Sequence, residues 1–305
     1  MQKTLTLMAL ICIMPTTILA QATKAPAKAA DPVPTHRNLV YATVGRTDLH
    51  LDLYLPNKSD AQTPLVVWIH GGGWRAGNKD SCSIAWLAGK GYAVASVQYR
   101  LSDKAKFPAQ IHDCKGAIRW LRANAKKYGY NGERVGAAGI SAGGHLVALL
   151  GTSGGLKDLE GEVGGNADQS SRVQAVLDMC GPSDFLLRNQ LRPAEDKGTE
   201  SPVALLLGGT VAEKTDLARQ ASPAQHLSKD DAPLLIYHGD KDPLVDLKES
   251  QHLQVLYKKT GLEVALEIIP GGGHVPKEFS DQSRQDLALK FFNQHLRPAP
   301  RPVTP

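Results

Sequence analysis

The stretch RVGAAGISAGGHLVALL, residues 134–150, reads as a buried strand that turns sharply into a helix. Residues 134–140 form a short run of small and apolar residues, and residues 142–150 continue as an apolar helical segment. Between them Gly139-Ile140-Ser141-Ala142-Gly143 matches G-x-S-x-G, in which small neighbours let a strained strand-to-helix turn present a hydroxyl. A second match, Gly151-Thr152-Ser153-Gly154-Gly155, follows the helix, where glycines suit a C-terminal stop, so Ser153 is a loop residue. Chance supplies about 0.2 such matches in a chain of this composition, so the strand–turn–helix context carries the assignment. Ser141 is the candidate nucleophile.

Outward from this turn the same rhythm repeats. Apolar runs at 65–69, 92–97, 173–179, 233–237 and 264–269 alternate with helical patterns at 84–90, 111–128, 247–260 and 282–296. Strands apolar on both faces call for a mostly parallel, doubly wound sheet with helices on both sides, an α/β fold. Residues 49–55 alternate strictly and predict a half-buried strand in an early edge hairpin. In such sheets ligands bind beyond the carboxyl ends of the strands. Residues 185–231 break the rhythm and are expected to form a small cap-like insertion over those strand ends.

Composition bounds the rest. The 305 residues carry 35 basic and 30 acidic side chains, a net charge of +5, with 42% hydrophobic residues. That balance suits a globular core and excludes disorder for most of the chain. No basic tract or aromatic-interleaved patch accompanies the charge, so no nucleic-acid partner is expected. Residues 1–20 have one charge, Lys3, then an apolar run interrupted by Pro15 and small residues at Ala20 and Ala22. This predicts a signal peptide cut after Ala20 or Ala22 and a secreted or periplasmic protein. The uninterrupted run is shorter than the ~20 residues that span a bilayer, so no stable membrane association is expected. Residues 21–36 read as a flexible Ala/Pro/Lys linker, 37–296 as one catalytic domain, and 297–305 as a Pro-rich tail. Cys82, Cys114 and Cys180 would remain after cleavage; an odd count leaves at least one thiol unpaired, and spacing selects no pair.

A serine needs a base, an orienting acid and donors for the developing oxyanion. His70-Gly71-Gly72-Gly73-Trp74 follows the apolar run 65–69, where glycine amides can approach a negative charge together with the amide of Ala142. After the run 233–237 comes HGDKDPLVD, residues 238–246, with three aspartates. Asp246 opens a helix and, with Glu249, is accounted for as a capping pair. Asp242, held by Pro243 at the loop tip, is the chosen acid, with Asp240 the rival. His274 ends the glycine-rich loop 270–274 after the last strand and is the candidate base. His145 and His238, near the site in sequence, are assigned supporting or packing roles.

In this order HGGGW, GISAGG, HGDKDPLV and GGGH resemble the α/β-hydrolase carboxylesterases related to hormone-sensitive lipase. Within these, the chain most resembles the bacterial bifunctional acetyl and feruloyl esterases. GYAV (91–94) through YRLS (99–102), FPAQ (107–110), DCKGAIRWL (113–121), GPSD (181–184) and ASP (221–223) extend the likeness over roughly residues 49–296. The resemblance implies the α/β-hydrolase fold, a Ser141–Asp242–His274 triad, and Gly72, Gly73 and Ala142 as oxyanion donors. It implies acetyl or feruloyl esters, as small molecules or oligosaccharides, as substrates. Trp74 is the candidate substrate-binding residue; the HGG-x-W pattern also resembles arylformamidases, which keeps amide-type substrates open. A peptidase or amidase of the same fold and a non-catalytic binding protein are the rivals. There is no HExxH, no paired CxxC and no GxGxxG after a strand, so neither metal nor cofactor is expected.

Overall fold

The computed structural model describes residues 32–193, 198 and 200–297. The expected signal peptide, residues 21–31 of the expected linker and residues 298–305 of the expected tail lie outside the described residues. The strands are β1 (His36–Val44), β2 (Thr47–Tyr54), β3 (Pro64–Ile69), β4 (Ala93–Val97), β5 (Asn131–Ile140), β6 (Ala175–Met179), β7 (Leu234–Gly239) and β8 (Val264–Ile269). They form one sheet in the order β1-β2-β4-β3-β5-β6-β7-β8. β2 pairs antiparallel with both β1 and β4, and every other pairing is parallel. The helices are α1 (Ala109–Ala123), α2 (Ala125–Tyr128), α3 (Ala142–Thr152), α4 (Lys157–Glu160), α5 (Phe185–Leu191), α6 (Pro202–Leu207), α7 (Thr215–Gln220), α8 (Leu247–Thr260) and α9 (Gln282–Leu296). This is the expected α/β-hydrolase fold.

The continuous apolar runs are explained by burial on both faces. All six residues of β3 are buried. Leu65, Val67 and Ile69 join the core formed with α1, α3 and α8, while Val66 and Trp68 join the core formed with α9. Each such side chain contributes on the order of 1.5–3 kcal/mol when withdrawn from water. On β5 a glycine makes room for a helix: a Cβ on Gly136 would lie 2.9 Å from Leu296 Cδ1 and 3.1 Å from Phe292 Cε1 of α9.

Several local expectations change. The helical pattern at 84–90 is a 3₁₀ helix, Ala85–Lys90, stopped by Gly91 at φ 80°. The pattern at 111–128 divides at Asn124, whose Nδ2 donates to the Trp120 carbonyl at 2.9 Å, a local bond that competes with continued helix. The run 264–269 is an edge strand, with Ala265 and Ile268 exposed, because it has only β7 as a neighbour. His36, placed at the end of the linker, is the first residue of β1. Segment 185–231 contains α5, α6, α7 and a 3₁₀ turn at Pro223–Gln225. Cys82, Cys114 and Cys180 are all free thiols. Among the described residues no helix is long and apolar enough to cross a membrane.

Phe292 is fully buried where α9 meets the sheet. Phe292→Ala is therefore expected to cost about 3–5 kcal/mol, read from the urea unfolding midpoint at unchanged slope.

Candidate active site

Ser141 joins β5 to α3 with φ 55° and ψ −121°. A non-glycine residue in that region costs of order 1–3 kcal/mol and needs its surroundings to hold it. Its N–H donates to the Met179 carbonyl at 2.8 Å on neighbouring β6, and its carbonyl accepts from His145 N at 3.0 Å. The flanking glycines serve close approach. A Cβ on Gly139 would strike the Gly143 carbonyl, and one on Gly143 would strike the carbonyls of Ile69 and His70.

His274 Nε2 lies 2.9 Å from Ser141 Oγ, and its Nδ1 lies 2.7 Å from Asp242 Oδ2. The loops bearing His274 and Asp242 are stitched together: Lys241 N donates to the Gly272 carbonyl at 2.8 Å. Asp240, the rival acid, instead accepts from Gly271 N at 2.7 Å and so secures the same pair of loops. Asp246 caps α8, accepting from Lys248 N at 2.9 Å. Its expected capping partner Glu249 turns inward, where Oε1 meets Arg188 Nη1 at 2.9 Å. The half-buried Arg188 guanidinium recruits the buried Glu249 carboxylate away from the helix end.

Asp242 is well supplied with donors. Oδ1 accepts from Leu244 N at 2.8 Å and Val245 N at 2.9 Å, and His238 Nε2 stands 3.4 Å from Oδ2. Burial alone would raise its pKa, but His238, His274 and the two amides outweigh it and hold the carboxyl far below its ordinary range. Asp242 is thus ionised at neutral pH. His238 is fully buried, with Nδ1 at 2.7 Å from Ser250 Oγ and Nε2 at 3.0 Å from the Val245 carbonyl.

The glycine loop after β3 doubles back on Gly72, whose carbonyl accepts from Arg75 N at 3.2 Å and Ala76 N at 3.0 Å. Gly72 at φ 110° and Gly73 at φ 59° occupy backbone conformations that a side chain would oppose. Ala142 is the first residue of α3, so its N–H has no carbonyl one turn back. Gly72, Gly73, Ala142, Ser141 and His274 all line one cavity of about 790 Å³. Such a set can activate a hydroxyl and receive the negative charge of a tetrahedral intermediate.

Trp74, the expected substrate-binding residue, stands at the cavity wall. It is only 2% exposed, and its Nε1–H is engaged by His145 Nδ1 at 3.2 Å. Sequence reasoning missed much of the wall: Trp68 on β3, Ser83 before the 3₁₀ helix Ala85–Lys90, and Phe185, Arg188, Pro202 and Val203 from segment 185–231. Arg188 reaches both Glu249 and the Leu244 carbonyl, at 2.9 and 2.8 Å. No motif marks these positions; the broken rhythm of 185–231 was the one signal. Among the described residues, Cys180, Asp242 and His274 form the one trio with metal-ligand geometry. Two of them already bond each other, and burial pushes the Cys180 thiol up, away from the thiolate a metal requires.

The family model BD-FAE matches residues 51–256. A truncated carbohydrate esterase from gut microbiota superposes with a TM-score of 0.78 at 33% identity, covering 87% of this chain and 98% of that one. A bifunctional GH43-CE protein of Bacteroides eggerthii gives 0.74 at 34% identity, over 85% of this chain and 37% of that one. Esterase LipC of Mycobacterium tuberculosis is 28% identical over 215 residues, 69% of this chain and 52% of that protein. The chain spans about half the length, or less, of the curated relatives it matches.

The hydrogen bonds set apart the two competing aspartates. Asp242→Asn is expected to slow the reaction of Ser141 with a fluorophosphonate probe on the order of 10⁴-fold. Asp240→Asn should stay within severalfold of the parent rate in the same time course.

Proposed function

The chain belongs to the BD-FAE family, and from that premise we propose that it is a serine carboxylic-ester hydrolase acting through Ser141, His274 and Asp242. The observation that carries this reading is the unbroken relay from Asp242 Oδ2 through His274 to Ser141 Oγ, at 2.7 and 2.9 Å, opening on the glycine-loop cavity. His274 Nε2 accepts the Ser141 proton as Oγ attacks the ester carbonyl. Asp242 fixes the imidazole tautomer and stabilises the imidazolium. The N–H groups of Gly72, Gly73 and Ala142 receive the oxyanion, each contributing on the order of 3 kcal/mol to the transition state. The alcohol leaves with the proton from His274. Water, deprotonated by the same nitrogen, then cleaves the acyl-enzyme.

We assign short acyl or aromatic esters of carbohydrates, acetyl and feruloyl among them, as substrates. Support comes from the carbohydrate esterases among the similar structures and from a cavity whose size suits a small organic group. Apolar walls at Trp68, Phe185 and Val203 suit an acyl group. Trp74, the residue that brought amide substrates into view, is turned to His145, which leaves the ester reading the better supported. The charged, apolar and small-residue order of residues 1–22 supports export to the periplasm or medium.

Ser141→Ala should abolish hydrolysis of an aryl acetate and labelling by a fluorophosphonate while leaving the melting temperature nearly unchanged. Retained turnover would overturn the nucleophile. Acetylated xylo-oligosaccharides and methyl ferulate should both be hydrolysed by the parent enzyme; turnover of the aryl acetate alone would refute the carbohydrate-ester assignment. Mass analysis of exported protein is expected to find an N-terminus at Gln21 or Thr23, and an intact Met1 in that fraction would refute cleavage.

A further inference from the structure

We propose that His145 is a positioning residue: it holds Trp74, and through Trp74 the Gly72–Gly73 amides, in register with Ser141. The inference rests on the esterase reading above and adds a part to it.

His145 lies one helical turn after Ser141 on α3 and is fully buried. Its Nε2 faces the Ala221 carbonyl at 2.7 Å, an atom that can only accept, so Nε2 carries the ring proton. Nδ1 is then a lone pair, and it meets the Trp74 indole N–H at 3.2 Å. A single neutral tautomer satisfies both bonds. Burial keeps the ring neutral by lowering its pKa to about 4, so the acceptor persists across the neutral range.

Trp74 needs such a hold. It directly follows Gly73 and stands at φ 57°, a region where a bulky residue is an outlier. Its carbonyl accepts from Ser102 N at 2.8 Å, and its ring meets His145 and Phe185 edge-on, with centroids 5.1 and 5.6 Å away. Phe185 in turn stacks on His145 at 5.0 Å. Ala221 and Phe185 come from opposite ends of segment 185–231, and Phe185 N donates to Ser222 Oγ at 2.9 Å. One imidazole therefore joins the helix of the nucleophile, the loop of the oxyanion donors and the segment that lines the cavity. A displacement of the donors of about 1 Å is enough to lower catalysis by about a hundredfold.

The test separates positioning from simple packing. Trp74→Phe deletes one N–H and keeps a buried ring. It should lower kcat for an aryl acetate on the order of tenfold or more, with KM within severalfold. Affinity for a trifluoromethyl ketone, which forms a tetrahedral adduct, should fall by the same factor as kcat/KM. His145→Leu should match Trp74→Phe, and the double variant should be no worse than the worse single one. His145→Gln, which keeps a donor and an acceptor, should recover much of the loss. If His145→Leu fails to fold, Trp74→Phe and His145→Gln decide alone. A folded Trp74→Phe enzyme with parental kcat and ketone affinity overturns the proposal, as does a loss seen only in melting temperature. Absence of Ser141-dependent hydrolysis in the parent protein would instead bring down the esterase reading itself.

Discussion

Ser141 must stand at φ 55°, ψ −121°, a backbone state that its own chemistry disfavours, and the strand ends around it are arranged to keep it there. The cost is of order 1–3 kcal/mol, a sizeable part of the roughly 5–15 kcal/mol by which a domain is stable. Sheet register supplies the restraint. β3 and β5 are adjacent, with Ile69 opposite Gly139, so the glycine loop and the elbow leave the sheet side by side. A Cβ on Gly71 would lie 2.8 Å from the Ile140 carbonyl and 3.3 Å from Ser141 Cβ. The distance between Ser141 and the glycine loop is thus set by strand pairing, and the glycines make that distance sterically allowed.

The electrostatics beneath the site separate carboxyls by their partners. Asp242 is surrounded by donors and stays ionised. Asp178, buried nearby on β6, has one amide partner, Gly181 N at 2.8 Å, and an Oδ2 with none. Burial pushes its pKa up to about 7. With its folded pKa above the unfolded one, Asp178 binds a proton more tightly in the native state, and its effect on stability turns unfavourable as pH rises from about 4 toward 7. The carboxylate bonded to His274 is thus the one held ionised by its donors, while burial opposes the charge on Asp178.

Much of this was legible because it depends on local chemistry. Strand β8 and helix α9 were bounded by their apolar patterns, and Ser141, Asp242 and His274 by their places just after strands. The elbow glycines were legible as small residues, although Gly143 serves close approach to Ile69 and His70 and Gly139 to Gly143, which only the fold reveals. The early edge hairpin is formed by β1 and β2, but β1 was not bounded in advance because its mixed burial leaves no clean alternation. The bond from Trp74 to His145 was not legible because a tryptophan beside a glycine loop gives no sign of which way its nitrogen points. The partner, His145, is 71 residues away in sequence. Long-range side-chain pairings carry no local period.

Segment 185–231 shows why substrate recognition is the least legible part and yet not an ornament. Its helices are short, and two of them start at a side-chain cap: Asp184 accepts from Leu186 N and Leu187 N, and Ser201 Oγ accepts from Ala204 N. Such elements can be built from many sequences, so no motif announces them. Yet from α5 Arg188 donates to the Leu244 carbonyl, and Arg192 just beyond it to that of Pro243, in the loop whose amides hold Asp242. At its other side Phe185 packs on Trp74 and His145, against the oxyanion loop. A segment that forms the cavity wall while touching both the loop of Asp242 and the glycine loop cannot shift its cavity face without moving both.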